Sequence, residues 1–193
     1  MRLFVAAELP ADLRDRFASL QKDLAAAPLP VRWVPPEGIH LTLKFLGETA
    51  QSRLGDVETA LREAGRDLVP FSLQAAGAEP FPVRGAPRLI WVNVLGDLAA
   101  ARRLASAIDE ATSRIAFPSE TREFRPHLTL GRVKGPGRGD WRSIVAEAGP
   151  RASGGFEVSD YVLFESRLGP GGALYTPLER FALGRAAAGA RDR

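Results

Sequence analysis

One tetrapeptide that occurs twice constrains this chain more than any other feature. The only two histidines of the sequence, His40 and His127, each begin the run His-Leu-Thr-Leu. From the frequencies of Leu and Thr in the chain, a histidine would be followed by Leu-Thr-Leu by chance on the order of once in 2,000 cases, so a motif is the better explanation. The repetition predicts two related halves, each of which contributes one histidine to a shared site.

The spacing within the tetrapeptide is that of a β-strand with one polar and one apolar face. Side chains alternate between the two faces of a strand, so His40 and Thr42 share one face and the leucines share the other. His127 and Thr129 repeat this arrangement. If the two strands lie side by side about a pseudo-twofold axis, two imidazoles and two hydroxyls converge on one cleft.

Two imidazoles in one cleft form an acid–base pair. Imidazole titrates near neutral pH, so one ring can accept a proton while the other donates one. Such a cleft could hold a phosphate between the rings, with the threonine hydroxyls donating to its oxygens. A lone histidine in a strand is more often structural, and strand propensity would explain Thr42 and Thr129 on their own. The duplication is what favours catalysis.

Hydrophobic periodicity predicts helices interleaved with strands along the chain. Apolar residues at helical spacing predict helices near 11–26, between 54 and 68, near 98–115 and near 140–148. Alternation predicts strands near 2–8, 31–34, 39–46, 71–78, 88–95, 127–133, 156–165 and 173–182. The order predicts an α+β fold of two antiparallel or mixed sheets with helices on their outer faces. The glycine-rich loop 134–139 and the tail 185–193 are expected to be flexible.

Composition excludes several classes of protein. The chain has no cysteine, which excludes disulfides and thiolate metal sites, and no motif marks carboxylate partners for zinc. No apolar stretch approaches the roughly 20 residues of a membrane helix, and the apolar N-terminal run is too short for a signal sequence. We therefore expect a cytoplasmic protein without membrane contact. Most of the net charge of +3 lies in the tail, so composition permits an anionic substrate without demonstrating one.

The motifs and their surroundings resemble the two-histidine phosphoesterase superfamily. Within it, the chain is most similar to the bacterial and archaeal RNA 2′,3′-cyclic phosphodiesterases, also called 2′-5′ RNA ligases. The doubled His-x-Thr-x is specific to the superfamily. The segments that select the family are 2–6, 31–36, 44–47, 124–126 and 164–166, together with Tyr175.

The resemblance implies a fold, a reaction and a set of roles. It implies one bilobal domain over 1–184, with the site in the central cleft, and hydrolysis of the 2′,3′-cyclic phosphate of an RNA end to a 2′-phosphate without metal or other cofactor. His40 would be the general acid on the departing 3′-oxygen, and His127 the base that activates water. Thr42 and Thr129 would hold phosphate oxygens, and Arg132 would pair with the phosphate. We expect a monomer that binds RNA ends or small cyclic nucleotides.

Strict alternation also predicts the strand face of two charged residues after the motifs, Arg132 and Lys44. Strict alternation places Arg132 on the opposite face from His127, so its role requires a bend in the strand or a long reach. The same alternation places Lys44 on the His40 face, where a solvated lysine and a phosphate ligand are both open interpretations.

Aromatic side chains could stack on the terminal base of an RNA substrate. The candidates are Trp33, Phe45 and Tyr175, whereas Trp91, within an alternating strand, is expected in the core.

Two alternatives to RNA cyclic phosphate hydrolysis stay open. The first changes the substrate within the superfamily to a 2′-5′ oligoadenylate, a cyclic nucleotide phosphate or an RNA 3′ end. The second is a non-catalytic RNA-binding module, against which the intact histidines and threonines argue, since binding alone needs no acid and base. Reverse 2′-5′ ligation also stays open.

Overall fold

The computed structural model describes residues 1–135, 140–169 and 172–184. Within these ranges the chain forms nine strands and four α-helices. In chain order they are β1 (Arg2–Glu8), α1 (Ala11–Ala25), β2 (Val31–Trp33), β3 (His40–Glu48), α2 (Leu54–Ala64), β4 (Phe71–Phe81), β5 (Leu89–Gly96), α3 (Leu98–Arg114), β6 (His127–Val133), α4 (Trp141–Ala148), β7 (Ser153–Val158), β8 (Asp160–Gly169) and β9 (Gly172–Ala182). The tail and most of the loop that were predicted to be flexible lie outside the described residues.

The described strands form one antiparallel sheet in the order β7-β4-β5-β6-β3-β1-β8-β9, and β2 also pairs with β6. The two motif strands, β3 and β6, meet at the centre through a single residue pair, Leu41 and Leu128. The α+β prediction is confirmed, and the two halves predicted as two sheets join at this pair into one sheet.

The two halves of the sheet share one plan. The His40 half contains β3, β1, β8 and β9, and the His127 half contains β6, β5, β4 and β7. In each half a strand leads through a helix to the motif strand, which then pairs antiparallel with that first strand. Each connecting helix packs on the opposite half, with α3 against β3 and α1 against β7 and α4. The halves are therefore interlocked.

The helices are held by apolar side chains that they bury against the sheet. Leu13, Phe17 and Leu20 of α1 are buried, as are Leu104 and Ile108 of α3. Full burial of such a side chain stabilises the fold by roughly 1.5–3 kcal/mol. The leucines of both tetrapeptides lie in the same core, namely Leu41, Leu43, Leu128 and Leu130.

One predicted strand is wrong in its connectivity. The segment predicted as a single strand near 156–165 is two strands, β7 and β8, separated at Ser159. β7 pairs with β4 in the His127 half, whereas β8 pairs with β1 in the His40 half. Only two polar residues, Ser159 and Asp160, mark the break in the sequence, and no glycine or proline stands there to indicate that the chain changes halves.

None of the helices in the described ranges has the length and apolar character needed to cross a membrane.

Candidate active site

A cavity of roughly 610 Å³ opens on the polar face of β3 and β6. Its lining includes all five residues that the sequence singled out as a site: His40, Thr42, His127, Thr129 and Arg132. The motif leucines lie on the opposite face, in the core. The alternation inferred within each tetrapeptide therefore matches the structure.

The lining of the cavity is electropositive. Three arginines contribute to it, Arg2, Arg32 and Arg132, and no described residue of the lining is an aspartate or glutamate. Guanidinium groups are suited to phosphate because their planar donors match its oxygens. The charge of the lining therefore favours an anionic ligand. Among the described residues, no three or more histidine, aspartate or glutamate side chains lie close enough together to hold a metal ion.

Each motif strand contains a β-bulge directly after its histidine and threonine. At this point the pairing with the neighbouring strand skips Leu43 in β3 and Leu130 in β6, and the pairing of β3 skips Leu46 as well. An extra residue in one strand reverses the facing of the side chains beyond it. The fifth residue after each histidine, Phe45 in β3 and Arg132 in β6, therefore returns to the cavity face.

These bulges determine the face of the sheet on which Arg132 and Lys44 lie, which strict alternation predicts incorrectly for both residues. The bulge in β6 supplies the bend that Arg132 needed to reach the cavity. The bulge in β3 moves Lys44 away from it, so the prediction that Lys44 shares the His40 face is wrong. Lys44 is only 6% exposed, and its ammonium donates to the carboxylate of Asp109 in α3 and, at 2.8 Å, to the carbonyl oxygen of Pro118.

Polar side chains from the interlocked helices hold both bulges. The amide nitrogen of Gln21 in α1 donates to the carbonyl oxygen of Leu130 at 2.9 Å and to that of Val34 at 2.7 Å. Lys44 and Asp109 make the corresponding link between β3 and α3. Burial acts to raise the pKa of Asp109, but the hydrogen bonds from Lys44 and from a backbone N–H outweigh it and lower that pKa. Each motif strand is thus held by the helix that precedes the other motif.

Both histidine rings are anchored in the same way. The Nδ1 atom of His127 lies 2.8 Å from the carbonyl oxygen of Arg125, two residues earlier. His40 bonds to the carbonyl of Gly38, also two residues earlier. A carbonyl oxygen can only accept a hydrogen bond, so Nδ1 of His127 carries the proton and its Nε2 is left for a ligand.

Aromatic residues of neighbouring strands pack against the two histidines. Phe4 of β1 stacks on His40 with ring centroids 4.8 Å apart, and Tyr175 of β9 meets the same ring edge-on at 5.2 Å. Trp91 of β5 packs on His127 at 4.9 Å. The expectation that Trp91 belongs to the core is therefore wrong, since it is half-buried beside the second histidine.

The family model of LigT-like phosphoesterases matches residues 8–91 and 97–175, which is most of the chain. The chain belongs to the LigT-like phosphoesterase family.

Relatives and solved structures agree with this membership over nearly the whole length. The chain is 34% identical over 184 residues to the RNA 2′,3′-cyclic phosphodiesterase of Methanothermobacter thermautotrophicus, covering 95% of this chain and 99% of that protein. It is 35% identical to the RNA 2′,3′-cyclic phosphodiesterase of Archaeoglobus fulgidus, covering 94% of this chain and 99% of that protein. The structure of TT0787 of Thermus thermophilus has a TM-score of 0.76 at 28% identity and covers 96% of this chain and 99% of its own. E. coli LigT complexed with 3′-AMP has a TM-score of 0.73 at 26% identity, covering 94% and 97%.

The surroundings of His40 in this LigT-like phosphoesterase disfavour the charged form of its ring. The pKa of His40 is lowered to about 4, chiefly because burial beside aromatic rings removes water from the charged form. The bond to the Gly38 carbonyl acts in the opposite direction, and the charge of His127 lowers the pKa further. At neutral pH His40 is therefore uncharged in the free enzyme. An anion bound beside it would favour its protonated form.

All three candidates for base stacking, Trp33, Phe45 and Tyr175, line the cavity of this phosphoesterase. Phe45 is 66% exposed, so its ring is available to a ligand, and stacking stays a prediction. Sequence analysis did not assign Phe4 or Arg2 to the site. Their facing on β1 follows from alternation, but only the pairing of β1 with β3 brings that face to His40.

Proposed function

We propose that this LigT-like phosphoesterase hydrolyses the 2′,3′-cyclic phosphate at an RNA end to a 2′-phosphate. The observation that carries the proposal is the convergence of both His-Leu-Thr-Leu strands on one electropositive cavity. The relatives that match nearly the full chain carry the name of this activity. A cyclic phosphate is a compact monoanion, which suits two hydroxyls and a guanidinium placed between two imidazoles.

In the proposed reaction His127 accepts a proton from water as the water oxygen attacks phosphorus. The bond between phosphorus and the 3′-oxygen breaks, and His40 donates a proton to that oxygen, leaving a 3′-hydroxyl and a 2′-phosphate. Thr42, Thr129 and Arg132 hold the non-bridging oxygens and stabilise the charge that develops on them. The same step with the 5′-hydroxyl of a second RNA in place of water would use the same groups: His127 accepts the hydroxyl proton, the bond to the 3′-oxygen breaks, and a 2′-5′ bond forms.

The low pKa of His40 bears on its role as acid. A group that is neutral at pH 7 in the free enzyme must gain its proton together with the substrate. The negative phosphate placed beside it would raise its pKa in the complex, because an opposite charge favours the charged form. On this account His40 donates a proton that it holds only while the phosphate is bound.

The experiment uses adenosine 2′,3′-cyclic phosphate and an RNA with a cyclic-phosphate end, both in EDTA, with the product identified by chromatography. The proposal assigns no metal ion, since the histidine pair carries both proton transfers, so turnover should persist in the chelator. The expected product is the 2′-phosphate. A 3′-phosphate product, or a rate that depends on added Zn²⁺ or Mn²⁺, would contradict the proposal.

A second substrate tests which histidine is the acid. When the bridging 3′ atom is sulfur, the leaving thiolate needs much less help from a proton donor than an alkoxide does. We expect His40→Ala to recover most of its lost rate on this substrate, while His127→Ala stays impaired. Recovery by His127→Ala alone would reverse the two roles.

A further inference from the structure

Arg32 and Arg132 lie directly opposite each other on β2 and β6. Directly opposed residues of antiparallel strands project from the same face, with Cβ atoms about 4.5–5.5 Å apart. Both arginines are exposed and both line the cavity of the two histidines. The pair therefore presents two guanidinium groups to one ligand.

This arrangement is unfavourable in the free protein. Like charges placed directly opposite each other weaken strand pairing. Among the described residues, neither guanidinium has an ion-pair or side-chain hydrogen-bond partner, and no carboxylate lines the cavity. Two other arginines of the sheet do have partners: Arg167 pairs with Glu165, and Arg180 pairs with Glu8 and Asp160. The missing counter-charge at Arg32 and Arg132 is best supplied by a ligand.

The position of the two arginines relative to the histidines indicates which anion they bind. β3 and β6 run antiparallel from their contact at Leu41 and Leu128, so the residues beyond the two motifs diverge toward opposite ends of the cavity. Arg132 lies three positions beyond Thr129, which at a strand rise of about 3.3 Å per residue, shortened by the bulge, is roughly 7–10 Å. An arginine can reach back over this distance to the reacting phosphate or extend to a group one nucleotide away.

The non-bridging oxygens of the reacting phosphate already have donors in the proposed function. A cyclic phosphodiester has two non-bridging oxygens, and the proposed function already assigns them to Thr42, Thr129 and Arg132. A second phosphate of the substrate would give Arg32 an acceptor of its own. In an RNA end, the nearest one is the phosphate on the 5′ side of the terminal nucleotide.

We propose that Arg32, opposite Arg132, forms a subsite for the phosphate on the 5′ side of the terminal nucleotide of the RNA substrate. The subsite rests on the proposed function and refines it: the enzyme distinguishes an RNA end from an isolated cyclic mononucleotide by this second phosphate. Charge-assisted contacts of this kind change affinity by about 10- to 100-fold.

The test compares adenosine 2′,3′-cyclic phosphate with the same nucleotide carrying a 5′-phosphate. We expect the wild-type kcat/KM to favour the 5′-phosphorylated substrate by about 10-fold or more. Arg32→Gln should bring the ratio of the two kcat/KM values close to one. Arg88→Gln is the matched control, because it removes the same charge next to the cavity-lining Leu89 without lining the cavity itself, and it should keep the wild-type ratio.

Binding measurements separate failure of the subsite from failure of the proposed reaction. Calorimetry with 3′-AMP and with adenosine 3′,5′-bisphosphate reads the same contact without turnover, and Arg32→Gln should weaken only the advantage of the bisphosphate. If the wild type binds the bisphosphate more tightly but hydrolyses neither cyclic substrate, the proposed function is contradicted and the subsite is still supported. The subsite would be overturned if Arg32→Gln kept the wild-type ratio in both assays. It would also be overturned if Arg88→Gln lowered the ratio as much as Arg32→Gln does.

Discussion

Phe45 and Arg132 occupy equivalent positions in the two halves of the protein. Each is the fifth residue after a motif histidine, each follows a bulge that skips one leucine, and each lines the same cavity. The two halves thus present the same backbone to the ligand but different chemistry, an exposed aromatic ring on one side and a guanidinium on the other. A nucleotide has the same asymmetry, with a base and a phosphate on opposite sides of its sugar.

Removal of either histidine should abolish most of the activity while the protein stays folded. His40→Ala and His127→Ala each remove one proton-transfer partner, so each should lower kcat by roughly 10²- to 10⁴-fold on a cyclic-phosphate substrate. Circular dichroism of the variants provides the control for folding. Near wild-type turnover by either variant would exclude the paired acid–base mechanism.

The dependence of kcat/KM on pH should be bell-shaped, with one limb near pH 4. The reaction needs one ring charged and the other neutral, and the pKa of His40 is about 4 in the free enzyme, so the change in charge of His40 sets this limb. Arg132 stays charged throughout and adds no limb. Arg132→Lys should lower kcat/KM roughly 10-fold, because it loses the two-pronged contact, without moving the limbs. A flat wild-type profile would contradict the histidine pair, and an unchanged rate for the variant would exclude Arg132 from the site.

The half-buried His40 ring should also make folding depend on pH. Between its ordinary pKa of 6.5 and its folded value of about 4, the unfolded chain binds a proton at His40 that the folded chain does not. The free energy of unfolding should therefore decrease as pH falls from 6.5 to 4, by up to about 3 kcal/mol from this group. Denaturant unfolding of the wild type and of His40→Gln at pH 4, 5 and 6.5 measures the difference. If the free energies of unfolding of the two proteins depend on pH in parallel, the pKa of His40 is not lowered in the folded protein.

Lys44 should contribute to stability through Asp109 and not through the substrate. Lys44→Met leaves the Asp109 carboxylate without its partner and should lower the free energy of unfolding by about 2–3 kcal/mol, less than for a fully buried pair because Asp109 is partly exposed. The double variant Lys44→Met/Asp109→Leu removes both charges and should recover much of this loss. If Lys44 instead held phosphate, kcat/KM would fall by the same factor in the single and double variants.

The sequence by itself determined the elements of the site. Two copies of a four-residue strand pattern placed both histidines and both threonines on one face, since alternation within a strand is a local property. Helical periodicity likewise placed four helices to within a few residues, apart from the longer end expected for α2, because burial of one face is recorded in the spacing of apolar residues.

The tertiary structure decided what depends on pairing between distant segments. The bulges exist because β1 and β5 impose a register on the motif strands, and this register turns Arg132 into the cavity and Lys44 out of it. The break at Ser159 follows from β7 and β8 pairing with strands of different halves. His40 owes its low pKa to Phe4 and Tyr175, which come from β1 and β9. Desolvation depends on which side chains surround a ring in space, and that is not recorded in the local pattern around the histidine.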